Sequence, residues 1–326
     1  MTHWILAGCA FAGTTVLIHP WLGFSWQGVA CLTLFNGWLL LAALSQWRCM
    51  TTDPGTVPKE AIPPPGELEA NRDRGIKTRR CPRSGVYKPL KSHFSSEIQR
   101  QVVRMDHHCP WINNTIGIGN QKFFILFLGY TWLACLFAII LAIVKVVQCH
   151  MDAKRHRGDV DWEAASWCQK ASPEASILMV VLMMASALFG LFTTCIGCEQ
   201  VTSIVNNNSY IDRLQARYRK GPAPPRPSAW QSLEEVFGNK GSKLLWLLPV
   251  RPRWKNPLKL FGYDLPATDE ALVAMADGTS EALGAASEAT EEAGAVGGTE
   301  VVPLLVQSTA HVTREPPAGA GARGLQ

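Results

Sequence analysis

Charged side chains are missing from three long stretches of this 326-residue chain: residues 4–47, residues 123–144 and residues 175–198. A helix needs about 20 apolar residues to cross the hydrocarbon core of a bilayer. The first stretch is long enough for two such helices, and each of the others for one. The absence of charge therefore predicts an α-helical polytopic membrane protein with four transmembrane helices.

Basic residues are also missing from the N-terminus, because no Lys or Arg precedes Arg48. A cleaved signal peptide starts with a positively charged segment, so this absence disfavours one. Residues 1–47 are instead predicted to hold transmembrane helices 1 and 2, at about residues 4–19 and 24–47. His19-Pro20 is the expected turn between them, although the short first helix can continue past it.

The polar segments between the predicted helices differ in their basic content. Residues 48–122 hold 13 Lys and Arg, whereas residues 145–174 hold five. Cytoplasmic loops of membrane proteins are richer in Lys and Arg, so residues 48–122 are predicted to form a small cytosolic domain between helices 2 and 3. Helix 3 then occupies residues 123–147, and a lumenal loop, residues 148–174, precedes helix 4 at residues 175–198.

The net charge of +5 is unevenly distributed. Residues 266–326 hold nine acidic and two basic residues, so the remainder is near +12. A basic body beside apolar helices fits an anionic membrane surface, and nucleic acid is not expected as a partner. Because the same tail has few large apolar residues, it is predicted to be disordered. The ten cysteines do not suggest a disulfide framework, although Cys149 and Cys168 are candidates for one lumenal disulfide.

One short stretch places a thiol beside two imidazoles and a carboxylate: Asp106-His107-His108-Cys109. An ordinary Cys side chain has a pKa of about 8.5, so an imidazole that accepts its proton makes the sulfur nucleophilic. Asp106 can orient that imidazole and stabilise its charge. The residue types alone leave three interpretations open: an activated nucleophile, a His/Cys metal cluster and an ordinary surface loop.

The wider run resembles the signature of the DHHC-type protein S-acyltransferases, or palmitoyltransferases. It continues with Pro110-Trp111, Asn113-Asn114, Gly117, Gly119-Asn120-Gln121 and Phe123-Phe124. The resemblance implies a membrane enzyme whose cysteine takes a fatty acyl group from acyl-CoA, holds it as a thioester and passes it to a cysteine of a protein.

By position, the resemblance makes Cys109 the nucleophile, His107 the base and Asp106 the group that orients the base. His108 is implied to belong to a zinc site. Asp53, in the sequence Asp53-Pro54-Gly55, matches a further family element and is expected to support the site.

The resemblance also implies the partners. Palmitoyl-CoA or a similar acyl-CoA is expected as a substrate rather than a cofactor, and the acceptors are proteins with cytosolic cysteines at the bilayer. The expected membrane is that of the Golgi or endoplasmic reticulum, with the plasma membrane as the alternative. The basic residues between positions 77 and 91 can contact anionic lipid or the phosphates of CoA. Tyr130, Thr131 and Trp132 can line an acyl cavity or pack between helices.

The segment before the signature departs from the family, whose cysteine-rich domain holds two zinc ions with three Cys and one His each. In register with the family, Cys81 and His108 are the ligands that remain, and they belong to different ions. The other six ligand positions hold Ser84, Phe94, Ser95, Ile98, Gln101 and Thr115. Because Phe and Ile cannot bind zinc and Ser and Thr are poor ligands, no structural zinc is expected. The side chains expected to fill the vacated volume are Phe94, Ile98, Val102 and Val103.

Residues 199–265 are predicted to form a cytosolic C-terminal region. Ser209 and Asp212 stand where the family has a Thr-Thr-x-Glu element, which the resemblance implies supports the catalytic domain, and Tyr210 is a departure from it. A polar helix cap is the alternative. Residues 244–248 are apolar but too short to span, so they are predicted to lie on the membrane or against the helices.

Two alternatives to an active transferase stay open at this stage. The chain can be a catalytically silent membrane scaffold of the same fold, because the lost zinc ligands can leave the catalytic loop loosely positioned. It can also be a metal-binding membrane protein that uses His107, His108 and Cys109, although the lost ligands argue against that interpretation. The intact catalytic residues favour the transferase.

Overall fold

A computed structural model of the chain describes residues 2–64, 78–156, 173–207 and 227–265, together with four residues between 65 and 77. All of these belong to one unit of the chain, residues 1–279. The predicted disordered tail, Ser209, Asp212 and the predicted disulfide partner Cys168 lie outside the described residues. Cys149 is disulfide-bonded.

The N-terminal helical segment runs from residue 2 to residue 22 without a break. It consists of α1 (Thr2–Ala12), a π-helical segment (Gly13–Ile18) and α2 (His19–Leu22). The predicted turn at His19-Pro20 is wrong, because the chain turns at residues 23–25. Proline is tolerated in the first turn of a helix, which is where α2 has it. Gly23 supplies the positive φ, 56°, that the actual turn requires.

Three helices are long and apolar enough to cross a membrane among the residues that the structure describes. They are α3 (Trp26–Thr51), α4 (Gln121–Arg155) and α5 (Pro173–Val205). The predicted polytopic membrane protein is confirmed at this level, and the N-terminal fourth span stays a prediction. Helix α4 continues to Arg155, so residues 148–155, predicted as loop, are helical. The charged residues there mark the end of the apolar run and not the end of the helix.

Helix α4 packs along both α3 and α5 and forms the centre of the bundle. Phe35 and Leu39 of α3 meet Phe127 and Ala134 of α4 in the main hydrophobic core, and the N-terminal segment adds Leu17. The catalytic stretch precedes α4 directly, so the packing of this helix fixes where the stretch lies at the end of the bundle.

The segment between α3 and α4 contains two antiparallel hairpins. Strands β1 (Ser92–Ser95) and β2 (Arg100–Val103) pair first, and β3 (His108–Cys109) and β4 (Asn114–Thr115) pair second. The irregular polar pattern of residues 95–103 did not predict a strand. The residues between β1 and β2 include Gln99 with φ of 54°, a turn conformation that the sequence does not signal.

The C-terminal region folds back onto the bundle. Helix α6 (Ala229–Phe237) starts with a capping box made by Ser228 and Gln231, and a short 3₁₀ helix (Lys243–Trp246) and α7 (Pro257–Phe261) follow. Residues 244–250 lie against α4, as one of the two predicted placements requires.

Two side chains of α4 hold residues 244–250. Lys122 Nζ donates to the carbonyl oxygens of Leu245 at 2.7 Å and Val250 at 2.8 Å. The Tyr130 hydroxyl donates to the carbonyl oxygen of Leu247. Non-helical backbone beside a membrane span needs such partners for its carbonyl groups.

Candidate active site

The β3–β4 hairpin holds the catalytic stretch by its backbone. The Asp106 amide donates to the Ile116 carbonyl at 2.9 Å, and the Ile116 amide donates to the His107 carbonyl at 2.8 Å. His108 and Cys109 then pair with Thr115 and Asn114. The hairpin therefore presents consecutive residues of the stretch from a fixed ladder and not from a free loop.

The structure brings together the three predicted catalytic side chains. His107 Nδ1 lies 2.8 Å from Asp106 Oδ2, and the Cys109 thiol is near enough to interact with the same imidazole. Asp106 and Cys109 are buried, and His107 is partly exposed. Phe124 packs edge-on against the His107 ring, with ring centroids 5.4 Å apart. Because Nδ1 faces the carboxylate, Nε2 is the nitrogen left for the thiol.

The surroundings of His107 favour its protonated form. Burial lowers the pKa of this imidazole, but hydrogen bonds and charge interactions with Asp106 and Cys109 outweigh it and raise the pKa to about 9. A protonated imidazole beside a sulfur atom is the arrangement that stabilises a thiolate nucleophile in an ion pair. The site thus has the charge arrangement of an activated nucleophile.

A further polar pair, Gln200 and Gln121, was not predicted. Gln200 of α5 donates its Nε2 hydrogen to Asp106 Oδ2 at 2.7 Å, and Gln121 Nε2 donates to Gln200 Oε1 at 3.3 Å. Both glutamines are buried. Asp106 is therefore held by two side chains, His107 of the hairpin and Gln200 of α5. The available sequence signal was an uncharged polar residue at the end of an apolar run.

The hairpin is anchored to the C-terminal end of α3, where backbone carbonyl groups lack helical partners. Asn114 Nδ2 donates to the carbonyl oxygens of Cys49 at 3.1 Å and Thr52 at 3.0 Å. Asn120 Nδ2 donates to the Thr115 carbonyl at 2.9 Å. The asparagines of the signature therefore join the hairpin to the membrane helices on both sides of it.

Asp53 shapes the turn that follows α3. Its carboxylate accepts hydrogen bonds from the Gly55 amide at 2.8 Å and from the Thr56 amide at 2.6 Å and hydroxyl at 2.7 Å. The backbone of Gly119 packs directly against this turn, because a Cβ atom there would lie 2.3 Å from the Asp53 carbonyl oxygen. Asp53 is thus placed to support the entry into α4.

Three of the positions where the family resemblance implies zinc ligands form a hydrogen-bonded polar group. Ser95 Oγ lies 3.0 Å from Thr115 Oγ1, and His108 Nδ1 lies 3.2 Å from the same hydroxyl oxygen. Within the described ranges, no group of three or more His, Cys, Asp and Glu side chains could hold a metal ion. The residues present do not fit a structural zinc, since one hydroxyl already joins the other two polar groups.

Two of the expected zinc-ligand positions, Cys81 and Phe94, belong to a small apolar core. Cys81 and Val103 are buried there with Tyr87 and Ile118, and Phe94 packs against them. Burial raises the pKa of the Cys81 thiol, but interactions with Ser84 and its neighbours outweigh it and lower the pKa. Phe94 and Val103 therefore pack where the sequence predicted apolar contacts.

Two small apolar cavities follow one another from the site into the bundle. A cavity of about 50 Å³ lies beside Cys109 and His107. A second cavity of about 40 Å³ lies deeper, between the N-terminal segment, α3, α4 and α5. Phe127, Thr131 and Phe189 line both cavities and lie between them. Thr131, one of the three residues predicted to line an acyl cavity or pack between helices, lines both of these cavities.

The fold and the site are those of a thiol–imidazole–carboxylate centre at the end of a bundle of membrane helices. A family model described as DHHC palmitoyltransferase matches residues 75–217. Palmitoyltransferase ZDHHC7 of Rattus norvegicus is 35% identical to the chain over 250 residues, which cover 76% of each protein. The chain belongs to the DHHC palmitoyltransferase family, and the predicted resemblance is confirmed.

Two relatives of lower identity are also named as acyltransferases. Palmitoyltransferase ZDHHC3-A of Danio rerio is 32% identical over 218 residues, covering 67% of this chain and 64% of the relative. Probable protein S-acyltransferase 12 of Arabidopsis thaliana is 28% identical over 252 residues, covering 73% and 79%. The matched length includes membrane helices as well as the catalytic stretch.

Proposed function

We propose that this chain moves a palmitoyl or similar long-chain acyl group from acyl-CoA, through a thioester on Cys109, to cysteine side chains of membrane-associated proteins. By its family the chain is a protein S-acyltransferase in a membrane. The observation that carries the proposed route is the contact of one imidazole with both a buried carboxylate and a thiol.

The first half-reaction loads the enzyme. His107 takes the proton of Cys109, and the sulfur attacks the carbonyl carbon of the acyl-CoA thioester. A new C–S bond forms to Cys109 as the C–S bond to CoA breaks, and the CoA thiolate receives the proton from His107. Asp106, held by Gln200, keeps Nδ1 of the imidazole occupied so that Nε2 carries the proton.

The second half-reaction repeats these steps with an acceptor thiol. His107 takes the proton of a substrate cysteine, whose sulfur attacks the Cys109 thioester carbonyl. The bond to Cys109 breaks, and His107 returns a proton to its sulfur. Two similar steps through a covalent intermediate give ping-pong kinetics. While it is attached, the acyl chain extends from Cys109 toward the two apolar cavities that Phe127 and Thr131 line.

The catalytic hairpin works in this proposal without structural zinc. The Ser95–Thr115–His108 hydrogen bonds and the core around Val103 take the place of metal-ligand bonds. The supporting role of His108 is then to hold the hairpin closed. A similar supporting role for Ser209 and Asp212 is retained from the family resemblance, as both lie outside the described residues.

The proposed topology has four spans, with the N-terminal helical segment as the first and residues 48–122 in the cytosol, where acyl-CoA is available. The basic content of that segment supports this orientation. The proposed location is the Golgi or endoplasmic reticulum, with the plasma membrane as the alternative, and fluorescence microscopy of the tagged full-length chain distinguishes them.

The chemistry is tested by incubating the detergent-purified protein with a labelled palmitoyl-CoA analogue. Wild type and a Cys195→Ser control, which removes an exposed thiol of α5, are expected to take up hydroxylamine-sensitive label. Cys109→Ser is expected to take up none. Label retained on Cys109→Ser would refute the assignment, and no label on a folded wild type would favour the silent scaffold.

A further inference from the structure

A groove runs between α4 and α5 on the outside of the bundle, next to the catalytic cavity. Its volume is about 460 Å³. Sites for small molecules commonly have volumes of about 300–1,000 Å³, and the groove falls in that range. The cavity beside Cys109 has about 50 Å³. In this conformation the groove therefore offers more room for a long hydrocarbon chain than the cavity beside Cys109 does.

Two side chains separate the groove from the catalytic cavity. Leu128 and Thr193 line both spaces. The groove extends along residues 125–132 of α4, the turns next to the catalytic stretch. At one end it is lined by Gln200, whose amide is bonded to Asp106 at 2.7 Å. One end of the groove thus meets the site, and the rest follows the helices into the bilayer.

The chemistry of the groove suits a hydrocarbon chain. Three threonines line it, and each donates its hydroxyl hydrogen to a carbonyl of its own helix: Thr193 to Phe189 at 2.8 Å, Thr194 to Gly190 at 2.7 Å and Thr202 to Cys198 at 2.7 Å. With these hydroxyls satisfied, the threonines need no polar ligand. The Gln200 amide at the site end is likewise bonded, to Asp106 and to Gln121, so an apolar chain is the fitting occupant of the groove.

Transfer requires such a route. The acyl chain starts in the bilayer, with its head on CoA, and ends in the bilayer on the acceptor protein. A path through the aqueous face would expose each CH₂ group to water, which is unfavourable. A path between two membrane helices keeps the chain in apolar surroundings throughout.

We propose that the groove between α4 and α5 is the lateral path by which the acyl chain passes between the bilayer and Cys109, with Leu128 and Thr193 as its gate. The inference rests on the proposed function. Bond making and breaking stay at the Cys109 sulfur, and the groove holds only the hydrocarbon part. The alternative occupant is an ordinary bilayer lipid that plays no part in transfer.

Two glycines allow the groove to be filled without a clash. A Cβ atom at Gly129 of α4 or at Gly197 of α5 would meet no atom within 4 Å. Replacing helical glycine with leucine also favours the helix. Gly129→Leu and Gly197→Leu therefore block the space and keep the fold. Gly37→Leu is the matched control, because Gly37 of α3 is equally open and does not line the groove.

The test measures the initial rates of Cys109 loading and of transfer to an acceptor peptide, in lipid nanodiscs, with palmitoyl-CoA and with hexanoyl-CoA. The groove variants are expected to slow both palmitoyl reactions by roughly tenfold and to change the hexanoyl rates by less than about twofold. The final amount of thioester on Cys109 is expected to equal that of wild type, and Gly37→Leu to behave as wild type.

Palmitoyl rates equal to those of wild type in both groove variants would overturn the inference and leave the lipid as the occupant. Equal slowing of the palmitoyl and hexanoyl reactions would overturn the inference too, because the substitutions would then be disturbing the catalytic site itself. If wild type itself forms no thioester, the proposed function fails and the inference falls with it. Failure of the proposed function is distinguished from failure of the inference because it is seen with wild type alone.

Discussion

At the scale of single residues, protonation of His107 links the site to the stability of the fold. The folded pKa of about 9 exceeds the unfolded value of about 6.5. A raised pKa of a base stabilises the folded protein below the unfolded pKa, and this stabilisation is lost as the pH rises through the folded pKa. The contribution of His107 is therefore complete below about pH 6.5 and disappears by about pH 9.

The first prediction follows from this loss of stabilisation as the pH rises. The thermal midpoint of wild type in detergent should decline between pH 6.5 and 9, and His107→Gln should decline less over the same range, because Gln does not titrate. Differential scanning fluorimetry across this range measures the difference. Identical pH dependence of the two proteins would contradict the assigned contacts of His107.

Gln200 gives the second prediction. Gln200→Leu removes a donor to the buried Asp106 carboxylate. Hydrogen bonds to charged groups are worth about 1.5–3 kcal/mol, so the loading rate at saturating acyl-CoA should fall roughly 10- to 100-fold while KM stays close to that of wild type. Gln148→Leu, which breaks an exposed bond to Trp21, is the control and should keep the wild-type rate. An unchanged rate in Gln200→Leu would exclude a positioning role.

The sequence predicted the site residues that adjoin one another but not the residue that completes the site. Asp106, His107 and Cys109 are close in the chain, so their chemistry could be inferred together. Gln200 is 94 positions away from Asp106. Its contact depends on how α4 and α5 pack, which no local pattern specifies.

At the scale of elements, the β3–β4 hairpin depends on the hydroxyl group of Thr115. This oxygen lies within hydrogen-bond distance of both Ser95 and His108, and Ser95 and Thr115 are fully buried. A buried polar group that loses its partner costs about 1–3 kcal/mol.

The third prediction is that Thr115→Val lowers the free energy of unfolding by about 1–3 kcal/mol, because the valine keeps the shape and removes the hydroxyl. Thr33→Val, on the exposed face of α3, is expected to change it by less than about 0.5 kcal/mol. Denaturant titration in detergent measures both. Equal effects of the two substitutions would show that the polar group does not stabilise the hairpin.

The contact between the α3 turn and the start of α4 gives the fourth prediction. A Cβ atom at Gly119 would lie 2.3 Å from the Asp53 carbonyl oxygen and 2.9 Å from the Gly55 nitrogen, both backbone atoms. Overpacking of this kind typically costs about 1–3 kcal/mol, so Gly119→Ala should lower the thermal midpoint and the loading rate together. Gly37→Ala, in open space, should do neither. A wild-type midpoint in Gly119→Ala would contradict the close approach.

The membrane helices could be predicted from the sequence because an uncharged, apolar run of about 20 residues is typical of a membrane span. Their ends could not, since α4 continues through Asp152, Lys154 and Arg155, which are compatible with a helix outside the bilayer. The strands β1 and β2 were missed because residues 95–103 show no regular alternation of apolar and polar side chains. The bridge of Val102 to Thr56, which adds a partner to β2, is a long-range contact that local sequence does not signal.

At the scale of the whole molecule, the catalytic segment is held by parts of the chain far apart in sequence. Arg104 pairs with Glu235 at 2.5 Å, and Ile62 pairs with Asp264, so the C-terminal region packs against the segment that precedes the signature. Sequence alone left residues 244–248 on the membrane or against the helices. The structure places this segment against α4, because the side chains of Lys122 and Tyr130 donate hydrogen bonds to its carbonyl groups.

The central claim is that hydrogen bonds and packing, without zinc, position Cys109 for acyl transfer. The fifth prediction tests it in one sample. Chelator-treated, folded protein is incubated with palmitoyl-CoA, its zinc content is measured, and the tryptic peptide of residues 105–122 is examined by mass spectrometry. The expected result is a hydroxylamine-sensitive acyl group on Cys109 in most chains, with zinc far below one ion per chain. Near-stoichiometric zinc in the protein before treatment, with acylation lost on its removal, would contradict the account.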